Sequence, residues 1–110
     1  SCIEGILMME EIYKHAGEEA PRECCGLVIQ DGYNEKYIPL ENISREKDEF
    51  EMDSKTFVQY QLNSKIKYVV HSHYDSKSTP SEDDKIQCRE VGIPYLIVSY
   101  PEKEYTIIQP

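Results

Sequence analysis

The sequence predicts an α/β (α+β) fold in which a single mixed β-sheet is flanked by about three helices. Two observations support this class. Segments with helical periodicity are interspersed with short β-rich segments, and one of these, IKYVV at residues 66–70, is almost continuously apolar. Such apolar character is typical of a central strand that is covered on both faces. A chain of 110 residues suits one domain of this kind, so we expect a single domain over residues 1–110.

The first part of the sequence predicts a helix followed by a β-hairpin. Apolar residues recur at helical spacing over residues 3–17, and Gly17 and Pro21 then end the pattern. The apolar positions of this helix are Ile6, Met9, Tyr13 and Ala16. The stretches CCGLVIQDG and KYIPLENIS flank a turn signal at Asp31 and Gly32, which indicates two antiparallel strands. Pro39 places the second strand at a sheet edge or at a bulge.

The remaining elements follow from similar signals. FEMD predicts a brief strand, after which Asp53 caps a helix that extends to about Asn63. The inner face of that helix is expected to carry Phe57, Val58 and Leu62. Residues 81–91 predict a short helix ended by Gly92 and Pro94. PYLIVSY and EYTIIQP then predict two strands, joined as a hairpin by PEK.

Composition excludes several classes of protein. The chain has 12 Lys plus Arg against 21 Asp plus Glu, a formal charge of −9, which repels phosphate backbones and argues against a nucleic-acid partner. No apolar run approaches the roughly 18 to 20 residues that a membrane span needs. The acidic N-terminal stretch does not resemble a secretion signal. The four cysteines include no CxxC pair and are expected to be reduced, mostly core residues.

Two histidines at the end of the predicted central strand are candidate metal ligands. His71 and His73 are two residues apart, so on a strand they share one face, about 6 to 7 Å apart along the backbone. Two imidazoles placed in this way can converge on one ion. The pattern alone is weak, since it equally fits two polar residues at a strand end. The third histidine, His15, is expected to be a surface residue of the first helix.

The start of the next helix offers a carboxylate. Ser81 and Asp84 form the S-x-x-D pattern of an N-terminal capping box, which is the simplest interpretation of both residues. Asp84, Cys88 and Val91 also share one helical face, which directs the carboxylate inward. Because an inward carboxylate is costly unless it is paired or binds a metal, Asp84 becomes a third candidate ligand. Three protein ligands are typical of a catalytic zinc, whose fourth position holds water.

The spacing HxHx7Sx2D, formed by His71, His73, Ser81 and Asp84, resembles the signature of the JAMM (MPN-plus) metalloproteases. PRECCGLV, with Glu23, is similar to the upstream PxExCG context of that family. The resemblance implies a cytidine-deaminase-like architecture and Zn²⁺ held by His71, His73 and Asp84. It also implies that Glu23 acts as general base and that Ser81 stabilises the oxyanion.

Within that family, three stretches resemble the N-terminal domain of the tail assembly protein K group of lambda-like phages: YIPLENIS, FEMDSKTF and residues 92–110. The resemblance implies a zinc-dependent metallopeptidase or isopeptidase in tail-tip assembly or cell-wall penetration. Expected substrates are a ubiquitin-like tail protein or a peptidoglycan peptide. Synthesis is expected in the cytoplasm of a bacterial host, with the product in the virion tail. Such proteins commonly continue into an NlpC-type peptidase domain, which this sequence lacks, so an excised domain or a naturally short form is expected.

Two other interpretations remain open or can be excluded. A tail-tip assembly module could keep the zinc site with incidental hydrolysis, although the general-base candidate Glu23 would then have no purpose. A zinc nucleobase deaminase would need an HxE motif with a PCxxC pair, and the sequence contains neither.

Overall fold

A mixed sheet with helices on both faces forms the described part of the protein. The computed structural model describes residues 2–110, with the side chains of residues 5–110, and these residues form three α-helices and one five-stranded sheet. The elements are α1 (Cys2–Glu19), β1 (Cys25–Asp31), β2 (Asn34–Leu40), α2 (Ser54–Asn63), β3 (Lys65–Tyr74), α3 (Glu82–Val91), β4 (Tyr95–Tyr100) and β5 (Tyr105–Ile108). The predicted fold class is confirmed.

The strand order places the predicted central strand in the middle of the sheet. The order is β2-β1-β3-β4-β5, with β3 and β4 parallel and the other neighbours antiparallel. In β3, Val69, Val70 and His71 are buried, whereas Lys65 is exposed. The strand is therefore buried mainly toward the end that carries the histidines.

The predicted hairpin of β1 and β2 is confirmed. Gly32 in its turn has φ of 64°, in the left-handed region that favours glycine. Strand β2 lies at the edge of the sheet, where a proline such as Pro39 is tolerated. At Gly26 the strands approach so closely that a Cβ atom would lie 2.5 Å from the carbonyl oxygen of Ile38. A side chain at this position would force the two strands apart.

Two apolar layers form the core, one on each face of the sheet. On one face α1 inserts Ile12 and Ala16 against β-strand residues that include Val28 and Val70. On the other face α2 and α3 cover a second cluster, composed of Leu27, Ile29, Val69, Cys88, Tyr95 and Ile97. Neighbouring side chains of a strand point to opposite faces, so β3 and β4 contribute to both clusters.

The inner faces of two helices differ in part from the predicted ones. In α1 Ala16 is buried and Met9 and Tyr13 pack against the core as predicted, but Ile6 is 60% exposed and Ile12 is buried in addition. In α2 the predicted inward residues Val58 and Leu62 are exposed, and Phe57 contacts the core cluster without being fully buried. Helix α2 contacts the sheet mainly along β3, so a narrow apolar strip covers the interface.

The predicted strand FEMD is wrong, because residues 50–53 do not form a strand. The backbone amide of Glu51 donates to the side-chain oxygen of Asn42, at 3.1 Å. The Glu51 carbonyl in turn accepts from the amide of Ile43, at 2.9 Å. The segment is thus tied to the loop after β2 instead of to a sheet edge, which satisfies its polar backbone groups without strand pairing.

Among the described side chains, Cys24, Cys25 and Cys88 are buried free thiols, as predicted, and the side chain of Cys2 lies outside the described part.

Within residues 2–110, no helix combines the length and the apolar character needed to cross a bilayer.

Candidate metal centre

The C-terminal end of β3 presents both predicted histidines on the side of the sheet that faces α3. The rings of His71 and His73 lie with centroids 5.3 Å apart and planes inclined by 55°. Ser72, between them, points to the opposite face, as the alternation of a strand requires. The predicted common face of the two imidazoles is therefore present.

The first turn of α3 brings Asp84 to these two rings. Its Oδ1 lies 3.0 Å from Nε2 of His71, and its Oδ2 lies 3.2 Å from Nε2 of His73. Among the described residues these three side chains form a group whose candidate ligand atoms all lie within 4.8 Å of one another. The spacing in the sequence thus corresponds to one compact set of two nitrogens and a carboxylate.

A capping box holds the carboxylate in place. The Ser81 hydroxyl oxygen accepts from the backbone amide of Asp84 at 3.0 Å, and the Ser81 amide donates to Asp84 Oδ2 at 2.9 Å. This confirms the capping pattern predicted for the two residues. Ser81 is exposed, and its hydroxyl uses only a lone pair in the cap, so its proton stays available for a ligand.

The orientation of His73 is fixed from the loop after β3. Its Nδ1 lies 2.9 Å from the carbonyl oxygen of Lys77, which can only accept, so Nδ1 carries the proton of the neutral ring. The Nε2 atom is then left with a free lone pair toward Asp84. Metal-binding histidines typically show this arrangement, in which a carbonyl selects the tautomer.

His71 is fully buried, and neither ring nitrogen has a hydrogen-bond partner among the described residues. The 3.0 Å approach of Nε2 to Asp84 is close, yet it lacks the alignment of a hydrogen bond. Burial lowers the pKa of the imidazole, which favours the neutral form that can bind a metal. An unpartnered buried polar atom is costly, and a cation at Nε2 would satisfy it. Two imidazoles and one carboxylate suit Zn²⁺.

The charges of the site favour an ionised carboxylate. Burial opposes ionisation of Asp84, but the adjacent rings of His71 and His73 outweigh it and hold the pKa of the carboxyl well below its usual range. When the His73 ring is protonated, its Nε2 donates to Asp84 Oδ2, and this hydrogen bond raises the pKa of His73 against the effect of burial. A negative carboxylate beside two imidazoles provides a net attraction for a cation.

Glu23 reaches the site from the segment that precedes β1. Cys25 pairs with His71 across the strands. The Ser72 amide donates to the Cys24 carbonyl at 3.1 Å, and the Cys24 amide donates to the Ser72 hydroxyl oxygen at 2.8 Å. Continuation of this register places Glu23 opposite His73, on the same face of the sheet. Burial raises the pKa of the Glu23 carboxyl to about 8, and the nearby His73 only partly offsets this effect. The structure thus brings Glu23 beside the ligand group.

Two aromatic residues that the sequence analysis did not assign to the site enclose His71. The ring of Phe50 stacks on the imidazole with centroids 4.4 Å apart and planes inclined by 17°, and Tyr95 contacts it edge-on at 5.8 Å. Both rings also line a mostly apolar cavity of about 260 Å³ beside α2 and α3. Phe50 lies in a segment without regular structure, so no periodicity marked it.

His15 lies outside the ligand group, but its expected surface position is wrong. It lies on the inner side of α1 and is partly buried, and its Nδ1 lies 2.7 Å from the hydroxyl of Tyr37. The short polar contact explains how a histidine is accommodated on the inner side of the helix.

With this geometry in view, comparisons with known proteins identify the family. A family model described as prokaryotic homologs of the JAB domain matches residues 7–108. The chain belongs to this family. The tail tip assembly protein K of Escherichia phage N15 is 40% identical over 103 residues, which are 93% of this chain and 42% of that protein. The chain therefore spans less than half the length of this relative of the JAB family. The resemblance predicted from the motifs is confirmed.

Solved structures share the JAB-family fold. A protein from Desulfitobacterium hafniense matches with a TM-score of 0.72 and 27% identity, over 92% of this chain and 77% of that one. A JAB1/MPN domain protein from Archaeoglobus fulgidus matches with a TM-score of 0.66 and 22% identity, over 93% and 83%. At this identity the second match supports the fold alone.

Proposed function

We propose that this JAB-family chain is a zinc-dependent peptidase that hydrolyses a peptide or isopeptide bond during phage tail-tip assembly or cell-wall penetration. One observation carries the proposal. Ligand atoms of His71, His73 and Asp84 lie within 4.8 Å of one another, and Glu23 lies beside them with a pKa raised by burial to about 8. Ligands for a metal with an adjacent base of nearly neutral pKa suit hydrolysis better than structural metal binding.

The ligand group fits zinc by its donor types. His71 and His73 would hold the ion through Nε2, and Asp84 through a carboxylate oxygen, since these are the atoms that converge. When bound, zinc supplies a Lewis acid that polarises a carbonyl group and increases the acidity of water. The buried ring of His71 would gain a partner that the described residues do not give it.

Glu23 and Ser81 supply the proton transfer and the oxyanion contact. The Glu23 carboxylate takes a proton from the attacking water as the oxygen–carbon bond forms, and gives it to the amine nitrogen as the carbon–nitrogen bond breaks. The exposed Ser81 hydroxyl donates to the developing oxyanion while it continues to cap α3.

The name of the phage N15 relative supports a role in the tail tip. We therefore propose a substrate from that setting, either a ubiquitin-like tail protein or the peptide part of peptidoglycan. On the same ground we propose synthesis in the cytoplasm of a bacterial host and a product in the virion tail. Activity of a longer parent protein, with an NlpC-type domain, belongs to the same proposal.

A second candidate function is a tail-tip assembly module that binds a metal with little or no turnover. The word assembly in the name of the relative favours it. A partly buried, ionisable Glu23 beside the ligands opposes it, because a purely structural site gains nothing from a partly desolvated carboxylate.

The decisive experiment combines metal analysis of the purified chain with a library of peptide and isopeptide substrates. Glu23→Gln should retain zinc while hydrolysis falls by about 10² to 10⁴, since proton transfer is lost but the ligands remain. Asp84→Ala should lose the metal. Glu18→Gln, at an exposed position, is the matched control and should change neither property.

Turnover that survives Glu23→Gln unchanged would refute the proposed role of this residue. Full zinc content in Asp84→Ala would refute the ligand assignment. A zinc-loaded protein that cleaves no member of the library would favour the assembly module.

A further inference from the structure

A buried asparagine in the loop after β2 makes hydrogen bonds to two segments that contribute residues to the candidate metal centre. Asn42 is 7% exposed. Its Nδ2 donates to the carbonyl oxygens of Glu23, at 2.8 Å, and Glu49, at 2.9 Å. Its Oδ1 accepts from the backbone amides of Ser44, at 3.0 Å, and Glu51, at 3.1 Å. The two donors and two lone pairs of the amide are thus all used.

These hydrogen bonds connect two segments that carry residues of the site. One segment contains Glu23, whose carboxyl lies beside His73. The other contains Phe50, which lies between Glu49 and Glu51 and stacks on His71 at 4.4 Å. A single side chain therefore sets the distance between the backbone of the proposed base and the backbone of the residue that covers a proposed ligand.

Regular structure does not provide this connection. The described residues 41–53 contain no helix or strand, so the loop lacks the repeated hydrogen bonds that fix a sheet. Arg22, which precedes Glu23, adds a contact in the same place, since its Nη2 donates to the backbone carbonyl of Asn42 at 3.3 Å. The loop is held by one backbone hydrogen bond, from the Ile43 amide to the Glu51 carbonyl, and by side chains, among which Asn42 is buried.

We propose that Asn42 is a positioning residue, which fixes the Glu23 backbone and holds Phe50 against His71. Its effect on rate rests on the proposed function. Its effect on the Phe50 contact does not require turnover. Outer partners that orient a metal site commonly change activity by about 10- to 100-fold when they are replaced, although they touch neither metal nor substrate.

The test uses Asn42→Asp in the zinc-loaded full chain. The new carboxylate has the same shape and can still accept from the amides of Ser44 and Glu51, but it cannot donate to the carbonyls of Glu23 and Glu49. Asn63→Asp is the matched control, because it makes the same chemical change where Nδ2 donates to the Gln59 carbonyl at the exposed end of α2.

We expect kcat of Asn42→Asp to fall about 10- to 100-fold, with KM within about threefold and zinc content unchanged. The nuclear Overhauser contact between the rings of Phe50 and His71 should weaken or disappear. Asn63→Asp should resemble the wild type in all four measurements. If Asn42→Asp does not fold, Asn42→Ser, which keeps one hydroxyl donor, should show the same changes in smaller degree.

A variant with wild-type kcat and an intact ring contact would overturn the inference, as would a loss of rate caused only by loss of zinc. If the wild type itself hydrolyses no substrate, the proposed function fails, and the ring contact alone decides the role of Asn42. Its loss in Asn42→Asp with zinc retained supports the positioning role, and its persistence rejects it.

Discussion

On each face of the sheet a histidine lies between the sheet and the helices that cover it. The two histidines differ in whether their ring nitrogens have hydrogen-bond partners. On the α1 side, His15 Nδ1 lies 2.7 Å from the Tyr37 hydroxyl, and Nε2 lies 3.7 Å from the Glu19 carboxylate. On the α3 side, His71 is fully buried with no aligned partner for either nitrogen among the described residues. Burial lowers the pKa of both imidazoles.

The difference separates a histidine that the fold satisfies by itself from one that needs a partner from outside. A buried polar group left without a hydrogen bond destabilises a protein by about 1 to 3 kcal/mol. The α1 side avoids this cost through Tyr37, whereas the α3 side offers His71 only the carboxylate of Asp84 in poor alignment. Burial alone therefore does not mark a histidine as a candidate metal ligand, whereas burial without a hydrogen-bond partner does.

The largest expected effect tests the difference between His71 and His15. His71→Ala should weaken zinc binding by about 100-fold or more, because a ligand is lost and not merely an outer partner. His15→Ala should leave the zinc Kd within about threefold, since its ring is satisfied on the other face. Competition with a chromophoric chelator measures both. Equal weakening in the two variants would contradict the distinction.

A smaller effect concerns Glu23, a partly buried acid on the α3 side of the sheet. Burial raises the pKa of its carboxyl from the ordinary 4.5 to about 8. A raised carboxyl pKa contributes stability below the ordinary pKa that is lost as pH rises through the folded value. With a chelator present, the wild type should therefore lose stability relative to Glu23→Gln between about pH 5 and 8.

A difference of one unit in pKa between the folded and unfolded states corresponds to about 1.4 kcal/mol of unfolding free energy, and solvent screening reduces this value. We therefore expect the wild type to lose about 2 kcal/mol relative to Glu23→Gln. Urea unfolding of both proteins across this pH range measures it, and parallel curves would show that the carboxyl is not desolvated.

The smallest effect compares two helix caps. Ser81→Ala and Asp53→Ala should each reduce the free energy of unfolding by about 1 kcal/mol, since each removes an N-cap acceptor. Only Ser81→Ala should also weaken zinc binding, by up to about tenfold, because the cap of α3 holds Asp84 and that of α2 holds no ligand. Thermal unfolding and zinc titration separate the two properties, and equal zinc affinity in both variants would argue against coupling through the cap.

The sequence predicted those parts of the site that depend on local periodicity. The alternation of a strand placed His71 and His73 on one face, and the helical spacing of Asp84 and Cys88 turned both side chains inward. The capping pattern and the ends of α3 followed from Ser81 and Gly92 for the same reason. All these features involve neighbours in the chain, so short patterns contain the needed information.

The features that the sequence did not predict depend on contacts between distant segments. The FEMD strand does not form, because the Asn42 side chain and the Ile43 amide satisfy the polar backbone groups of Glu51 that a strand partner would otherwise satisfy. The stack of Phe50 on His71 and the hydrogen bond of His15 with Tyr37 likewise join residues far apart in sequence. The inner face of α2 was wrong because Val58 and Leu62 have no opposing surface in the assembled fold.

The three proposed ligands all come from one continuous segment, residues 71–84. They remain near neighbours even when the chain is unfolded, so closing the loop between them costs little conformational entropy. Excess metal will therefore also associate with the denatured ensemble, and the gain in unfolding free energy on metal addition will be smaller than the native affinity implies. Glu23 is not part of that segment, so it comes beside the proposed ligands only when β1 pairs with β3.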